Sequence, residues 1–309
     1  MTDENRESEV MLTGLTGGNL LAFLAALGTF RVLSLALPTE RIRMSWRLSG
    51  GAWRPLLHLP PGRRDTFGDI LVAELGKSGR CSALAFADNP SVEPHIFLKT
   101  ERSSVDTATI SDRTSGDFMA AFGSAAWRND NGKVQDTAFR TMQGAGHQHF
   151  LKTIRDLVAQ TTITQIRYAL FESWVPIDER LGMRWDACED RPYALRWRNP
   201  SAETVLTVRG ANRLAIEALP LFPTAGLGSE LETTGFTFPR RENPRFSFPI
   251  WDSPITVDTV RSLLATPLFQ EKDISSSRRH LADLGVRAVY RCERFTTGKF
   301  RNFTPTFPL

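Results

Sequence analysis

Arginine is the residue type with the most chemistry to offer in this chain, and it recurs at two-residue spacing. In RIRMSWRL, Arg41 to Leu48, the residues Arg41, Arg43, Ser45 and Arg47 alternate with Ile42, Met44, Trp46 and Leu48. Successive side chains of a strand point to opposite faces, so this stretch reads as a strand with one apolar and one basic side. LGMRWD and YALRWRN repeat the pattern, with Arg184, Arg196 and Arg198 on one face and Met183, Trp185, Leu195 and Trp197 on the other. Nearer the C-terminus, Arg287 and Arg291 lie opposite Val286, Ala288 and Tyr290. If these strands share a sheet, its basic face suits a nucleic-acid backbone, held by phosphate contacts that are blind to sequence and sensitive to salt. Neighbouring aromatics would stack on unpaired bases. The alternative is the ordinary solvated face of an antiparallel sheet; the scarcity of carboxylates among these arginines argues for binding. The basic turns RRENPR, with Arg240 and Arg241, and RRH, Arg278 to His280, offer further contacts to phosphates or partners.

Two other constellations carry possible chemistry. GAGHQHF, Gly144 to Phe150, sets glycines and a histidine pair, His147 and His149, ahead of a helix start. Free N–H groups there suit a phosphate, and the imidazoles suit a metal or acid–base work. The competing reading is a glycine loop whose histidines pack or hydrogen-bond. DACED supplies Asp186, Glu189 and Asp190, a carboxylate group of the kind a divalent-metal nuclease uses, although acidic residues are common in turns. No phosphate-binding GKS or GKT loop, nucleophile elbow or dinucleotide fingerprint is present, so no cofactor is expected. Cys81, Cys188 and Cys292 are far apart and form no zinc or redox spacing.

The elements that must position these groups begin with Leu12 to Leu37. Thr16, Gly17, Gly18 and Asn19 supply turn and N-cap chemistry, and Leu20, Leu21, Phe23, Leu24, Leu27, Phe30 and Leu33 then recur at helical steps, so a helix starts near Asn19 and ends at Pro38. Its ~19 residues, with Arg31 and Gly28 inside, suit a buried core helix better than a bilayer span. The acidic flank before it lacks the basic start of a secretory signal, so a cytoplasmic protein without a membrane segment is expected. AWRPLLHL, Ala52 to Leu59, completes a hairpin with the first basic strand, and Phe67 to Leu75 forms a short helix stopping at Gly76. HIFLK, His95 to Lys99, reads as a strand, and Thr100 to Asp117 as an exposed loop or domain seam.

Helices follow from Phe150 and over Ile163 to Trp174, then a strand in TVLTVRG and a helix in GANRLAIEALPLFPTAG. FTFPRRENPRFSFPIW is a pair of strands across a basic turn, Thr256 caps a helix, and SSSRRHLADLG is another that stops at Gly285. A closing hairpin turns around Thr296, Thr297 and Gly298. The sum is an α+β fold of mostly antiparallel sheets with a buried N-terminal helix and helices packed on one face. Its organisation is a helix-plus-hairpin region over 1–100 and an α+β region over 101–309, or one domain.

The net charge of +4 and a pI near 9.2 are mildly basic, and six lysines among 38 basic residues leave the positive charge to arginine. Guanidinium forks match phosphate oxygens and stack on rings; a GC-rich genome would also raise the arginine count.

The opening GLTGGNLLAFLAALGTFRVL, followed by a basic tryptophan-bearing strand and WRPLLHL, resembles the start of the large-subunit family of type I-G (formerly I-U) CRISPR effector complexes. Leu24, Ala26, Leu27, Gly28 and Arg31 match that family's helix in order, with Asn19 and Phe23 where it tends to have proline and tyrosine. RGANRLAIEALPLFPT and TTGF also look like the shorter family described as an extension of the helicase-nuclease of the same loci. The resemblance implies a non-enzymatic Cascade subunit or accessory protein in antiviral defence, holding DNA or guide RNA and contacting other effector subunits or the helicase-nuclease. It transfers no catalytic residue. The contact residues expected are Arg41, Arg43, Arg47, Arg184, Arg196, Arg198, Arg240, Arg241, Arg287 and Arg291. The alternatives are a metal-dependent nuclease or hydrolase and an assembly protein whose basic face binds an acidic partner.

Overall fold

A computed structural model describes residues 8–109, 112–142, 144, 148–189, 206–227, 230–297 and 300–309. Asn19 caps the helix Leu20–Ala36, its side-chain oxygen accepting from the Ala22 N–H at 2.9 Å, an arrangement that contributes about 1 kcal/mol. Every residue from Leu20 to Leu33 is buried, the signature of a helix apolar on all sides and wrapped by the rest of the protein. Gly28 explains how close that wrapping is. A Cβ there would stand 1.8 Å from the Leu214 carbonyl oxygen of the helix Arg209–Ile216, so only glycine lets the two backbones meet.

Two antiparallel sheets flank this helix. One has the strand order Ser8–Met11, Ala52–Leu59, Arg43–Ser49. The other has Arg245–Trp251 and Val286–Thr297 at its centre, with Phe236–Thr237 outside the first, and Phe300–Phe303 and Phe307–Pro308 paired to the second. Phe23 joins the helix to both, its ring 4.3 Å from that of Phe248 and 5.9 Å from that of Trp46. The fold is α+β. Among the described residues, no helix is long and apolar enough to cross a membrane.

Three expectations need correction. His95 to Lys99 is not a strand: it lies in the helix Pro94–Asp106. Five residues are too few to separate the two periods, and Pro94 occupies the first helical turn, where its missing N–H costs nothing. That helix buries Phe97 and Ser104, seven residues apart on one narrow stripe. The polar stretch after it is therefore largely helical, continuing as Thr114–Phe122. One continuous core runs from Val10 to Phe303. Finally, Met183 and Trp185 are buried as expected, but Arg184 between them has a left-handed backbone (φ 57°) and no strand forms there.

Candidate nucleic-acid interface

The arginines expected to share one face separate into different environments. Arg43, Ser45 and Arg47 do lie on one side of their strand, across from His58, Leu56 and Arg54 respectively. Arg41, just before it, is exposed. Arg47 is exposed but pairs with Glu9 at 3.0 Å, and Arg287 pairs with Asp252 at 2.5 Å. Both pairs border an open cleft of about 510 Å3, together with Ser45, His58, Trp46 and Trp53. Within it the Ser45 hydroxyl lies 2.9 Å from His58 Nε2, and His58 Nδ1 lies 3.7 Å from Glu9. This resembles a nucleophile relay, but Ser45 and His58 are 3% and 6% exposed, which places them beneath the ion pair rather than open to a substrate.

Arg291 contradicts its expected role outright. It is 3% exposed and donates inward, to Ser247 Oγ at 2.8 Å and to the carbonyls of Phe269, Glu271 and Lys272 at 3.1, 2.5 and 3.1 Å. Alternation placed it on an outer face, yet residues 269–272 cover that face and use the guanidinium to satisfy their carbonyls. Arg184 donates to Asn302 Oδ1 at 3.1 Å and Gln148 Oε1 at 3.2 Å. Arg240 and Arg241 are exposed on the turn before Arg245, the opposite end of the strand Arg245–Trp251 from Arg287, about 20 Å away at ~3.4 Å per residue. Arg196 and Arg198 lie outside the described residues.

Two arginine clusters were not foreseen. In the core, Glu217 bonds Arg213 at 2.8 Å, Arg31 at 3.3 Å and the Ser78 hydroxyl at 2.5 Å. Asp117 lies 3.7 Å from Arg31, and the Arg31 guanidinium sits over the Phe118 ring. Burial alone would push Glu217 up, but Arg213 and Arg31 hold its carboxyl below the usual range; burial pulls Arg31 down against Glu217 and Asp117. The two buried guanidiniums thus each meet a carboxylate directly, which offsets desolvation, while Asp117 also serves the more exposed Arg113 and Arg261 at 3.6 and 3.7 Å.

The second cluster forms where the closing hairpin meets residues 136–142. Register places Arg294 opposite Phe303 and Thr296 opposite Arg301, so both arginines lie on the inward face. Arg294 Nη1 donates to the Ala138 carbonyl at 2.6 Å, and the Arg301 N–H to the Thr141 carbonyl at 3.2 Å. Arg140 pairs with Asp136 at 2.7 Å. Here Arg140 alone pairs with Asp136, and Arg294 and Arg301 lie close enough to feel its charge without forming an ion pair with it. Burial and the neighbouring Arg301 and Arg140 push Arg294 down to about 9 against the pull of Asp136, and burial with Arg140 lowers Arg301 likewise. Burial pushes Asp136 up despite Arg140, Arg301 and Arg294. Among the described residues, nothing accepts from Arg140 Nε, and Arg301 forms no ion pair. The signal for this site was present in the sequence: Arg294 has the same parity as Tyr290 and Cys292 and so continues the inward face.

The residues of the metal alternative are not gathered. His149 bonds Asn89 through Nδ1 at 2.8 Å and flanks the helix Phe150–Gln160. Asp186 accepts from Asn19 Nδ2 at 3.2 Å and the Cys188 N–H at 3.1 Å, closing a turn. The backbone of Glu189 ends a short 3-10 turn; its side chain, His147 and Asp190 lie outside the described residues. Among the described residues, no three histidine, cysteine or acidic side chains come together as metal ligands. No protein-family model, curated protein or solved structure matches the chain.

Proposed function

We propose that this protein is a non-enzymatic nucleic-acid-binding subunit or accessory protein of type I CRISPR defence, holding DNA or guide RNA by its backbone phosphates. The observation that carries the binding half of this reading is the excess of guanidinium over carboxylate at the end of the closing hairpin. There Arg140, Arg294 and Arg301 lie about Asp136, and Arg240 and Arg241 stand exposed nearby. The defence context is supported by the resemblance of the N-terminal helix, and the partners it brings are other effector subunits or the helicase-nuclease of the locus. The sheet face of Arg43 and Arg47 contributes less than its spacing suggests, because Glu9 and Asp252 already engage Arg47 and Arg287.

The test is binding of labelled single- and double-stranded DNA and RNA at two salt concentrations. With about six phosphates engaged, affinity is expected to fall roughly a thousandfold between ~50 and ~200 mM salt. Affinity that is absent at low salt, with stable co-purification of an acidic protein, would replace this reading with the assembly role.

A further inference from the structure

We infer that Arg140, Arg294 and Arg301, arranged around Asp136, form a binding site for a phosphate monoester, the group that ends a nucleic-acid strand. The inference rests on the proposed nucleic-acid role only for the molecule that carries the phosphate. The site itself stands on charge and geometry.

Three guanidiniums about one carboxylate leave at least two positive charges in a partly buried position, and they repel one another. Like charges are gathered out of water only where a ligand or counter-ion offsets them. The group that restores neutrality carries two negative charges and several acceptor oxygens for fork-shaped donors. A phosphodiester within a strand carries one negative charge, a carboxylate one; a terminal phosphate carries close to two at neutral pH.

The donors are held for such a guest. Asp136 fixes Arg140, the Ala138 carbonyl fixes one nitrogen of Arg294, and Arg301 is half-buried with its guanidinium in no ion pair among the described residues. Thr141 links the site to the segment bearing Arg184, its hydroxyl donating to the Met183 carbonyl at 2.8 Å. On another side the Arg294 N–H donates to the Pro244 carbonyl at 2.8 Å, which ties the site to the turn carrying Arg240 and Arg241. Those exposed guanidiniums, on the same turn, offer further positive charge for the phosphates that follow the terminal one.

Inorganic phosphate titrated into the purified full-length protein at constant ionic strength is expected to raise its melting temperature saturably, with chloride giving no rise. Arg301→Met is expected to abolish that rise without lowering the basal melting temperature, since it removes a charge that Arg294 and Arg140 repel and that no ion pair holds. Arg301→Lys, which keeps the charge, should restore part of it. In the second arm, a short oligonucleotide with a 5′-phosphate should bind at least about tenfold tighter than its 5′-hydroxyl counterpart, whereas Arg301→Met should bind the two equally. No phosphate-specific rise overturns the site. A saturable rise with no preference for the phosphorylated end overturns the assignment to strand ends while the nucleic-acid role stands. A rise lost in Arg301→Met, with no oligonucleotide affinity at all, overturns the nucleic-acid role and leaves a site for a free phosphate monoester.

Discussion

Arg31 and Arg213 are buried more completely than Arg294 and Arg301, yet it is the deeper pair that meets carboxylates directly. Glu217 pairs with both, Asp117 reaches Arg31 at 3.7 Å while also serving Arg113 and Arg261, and the Leu75 carbonyl and the Phe118 ring add contacts to Arg213 and Arg31. The hairpin cluster is shallower, and of its three guanidiniums only that of Arg140 pairs with Asp136. Depth alone therefore does not mark a site. A buried cluster whose guanidiniums are directly paired ties helices together, whereas one whose guanidiniums lack a direct carboxylate keeps an attraction in reserve for something the chain does not itself supply.

Removing the carboxylate that Arg31 and Arg213 share should have the largest effect. Glu217→Gln leaves Arg213 without a carboxylate and Arg31 with only the Asp117 that Arg113 and Arg261 also share, and is expected to cost about 3–5 kcal/mol, read from urea unfolding. A loss under about 1 kcal/mol would mean that water already screens the pair and that the two clusters do not differ in kind. Asp136→Asn makes the parallel change at the hairpin. It is expected to cost less, about 1–3 kcal/mol, because Arg294 and Arg301 are only half-buried, and saturating phosphate should recover part of the loss. Phosphate should recover nothing in Glu217→Gln.

Proton linkage sharpens the contrast. Arg294 is pushed down to about 9 by burial and by its arginine neighbours, while in the unfolded chain it keeps its proton to much higher pH. Above about 9 the unfolded chain binds more protons than the folded one, so this group's contribution to stability rises with pH over that window. Below it, the full penalty of its charge is present. Subtracting Arg294→Met from the wild type removes other titrating groups; the difference in unfolding free energy should shift in favour of the wild type between about pH 8 and 10. Phosphate affinity should fall over the same range as the guanidinium loses its proton. A difference that does not change with pH would show that the cluster is already screened.

How much of this was legible follows from how local each signal is. The Asn19 cap, the Arg43–Ser49 and Ala52–Leu59 hairpin, and the closing hairpin were readable because period, cap and turn lie within a few residues of one another. Arg291 was misread because alternation says which face a residue occupies but not whether another segment covers that face; residues 269–272 do so, from some twenty positions away. The hairpin cluster depends on the meeting of residues 136–142 with 294 and 301, a contact across more than 150 positions that no local spacing encodes. Only the inward parity of Arg294 pointed to it. The core cluster left still less trace, since Arg31 within an apolar helix and Glu217 after another look like interruptions until the helices pack.

The smallest expected effects come from the arginines whose spacing first suggested a binding face. Arg47 and Glu9 are 52% and 43% exposed, and Arg287 and Asp252 are 48% and 38% exposed, so Arg47→Ala or Arg287→Ala should change stability by no more than about 1 kcal/mol. The more informative readout is the slope of log affinity against log salt for a bound oligonucleotide. Removing a side chain that neutralises one phosphate lowers that slope by about one. Arg241→Ala is expected to do so, and Arg47→Ala is expected to leave the slope unchanged, because Glu9 already neutralises that guanidinium. If Arg47→Ala instead lowers the slope by a full unit, the pair with Glu9 opens on binding. The sheet face then belongs to the interface alongside the hairpin cluster, and charge balance in the free protein is not what separates site from scaffold.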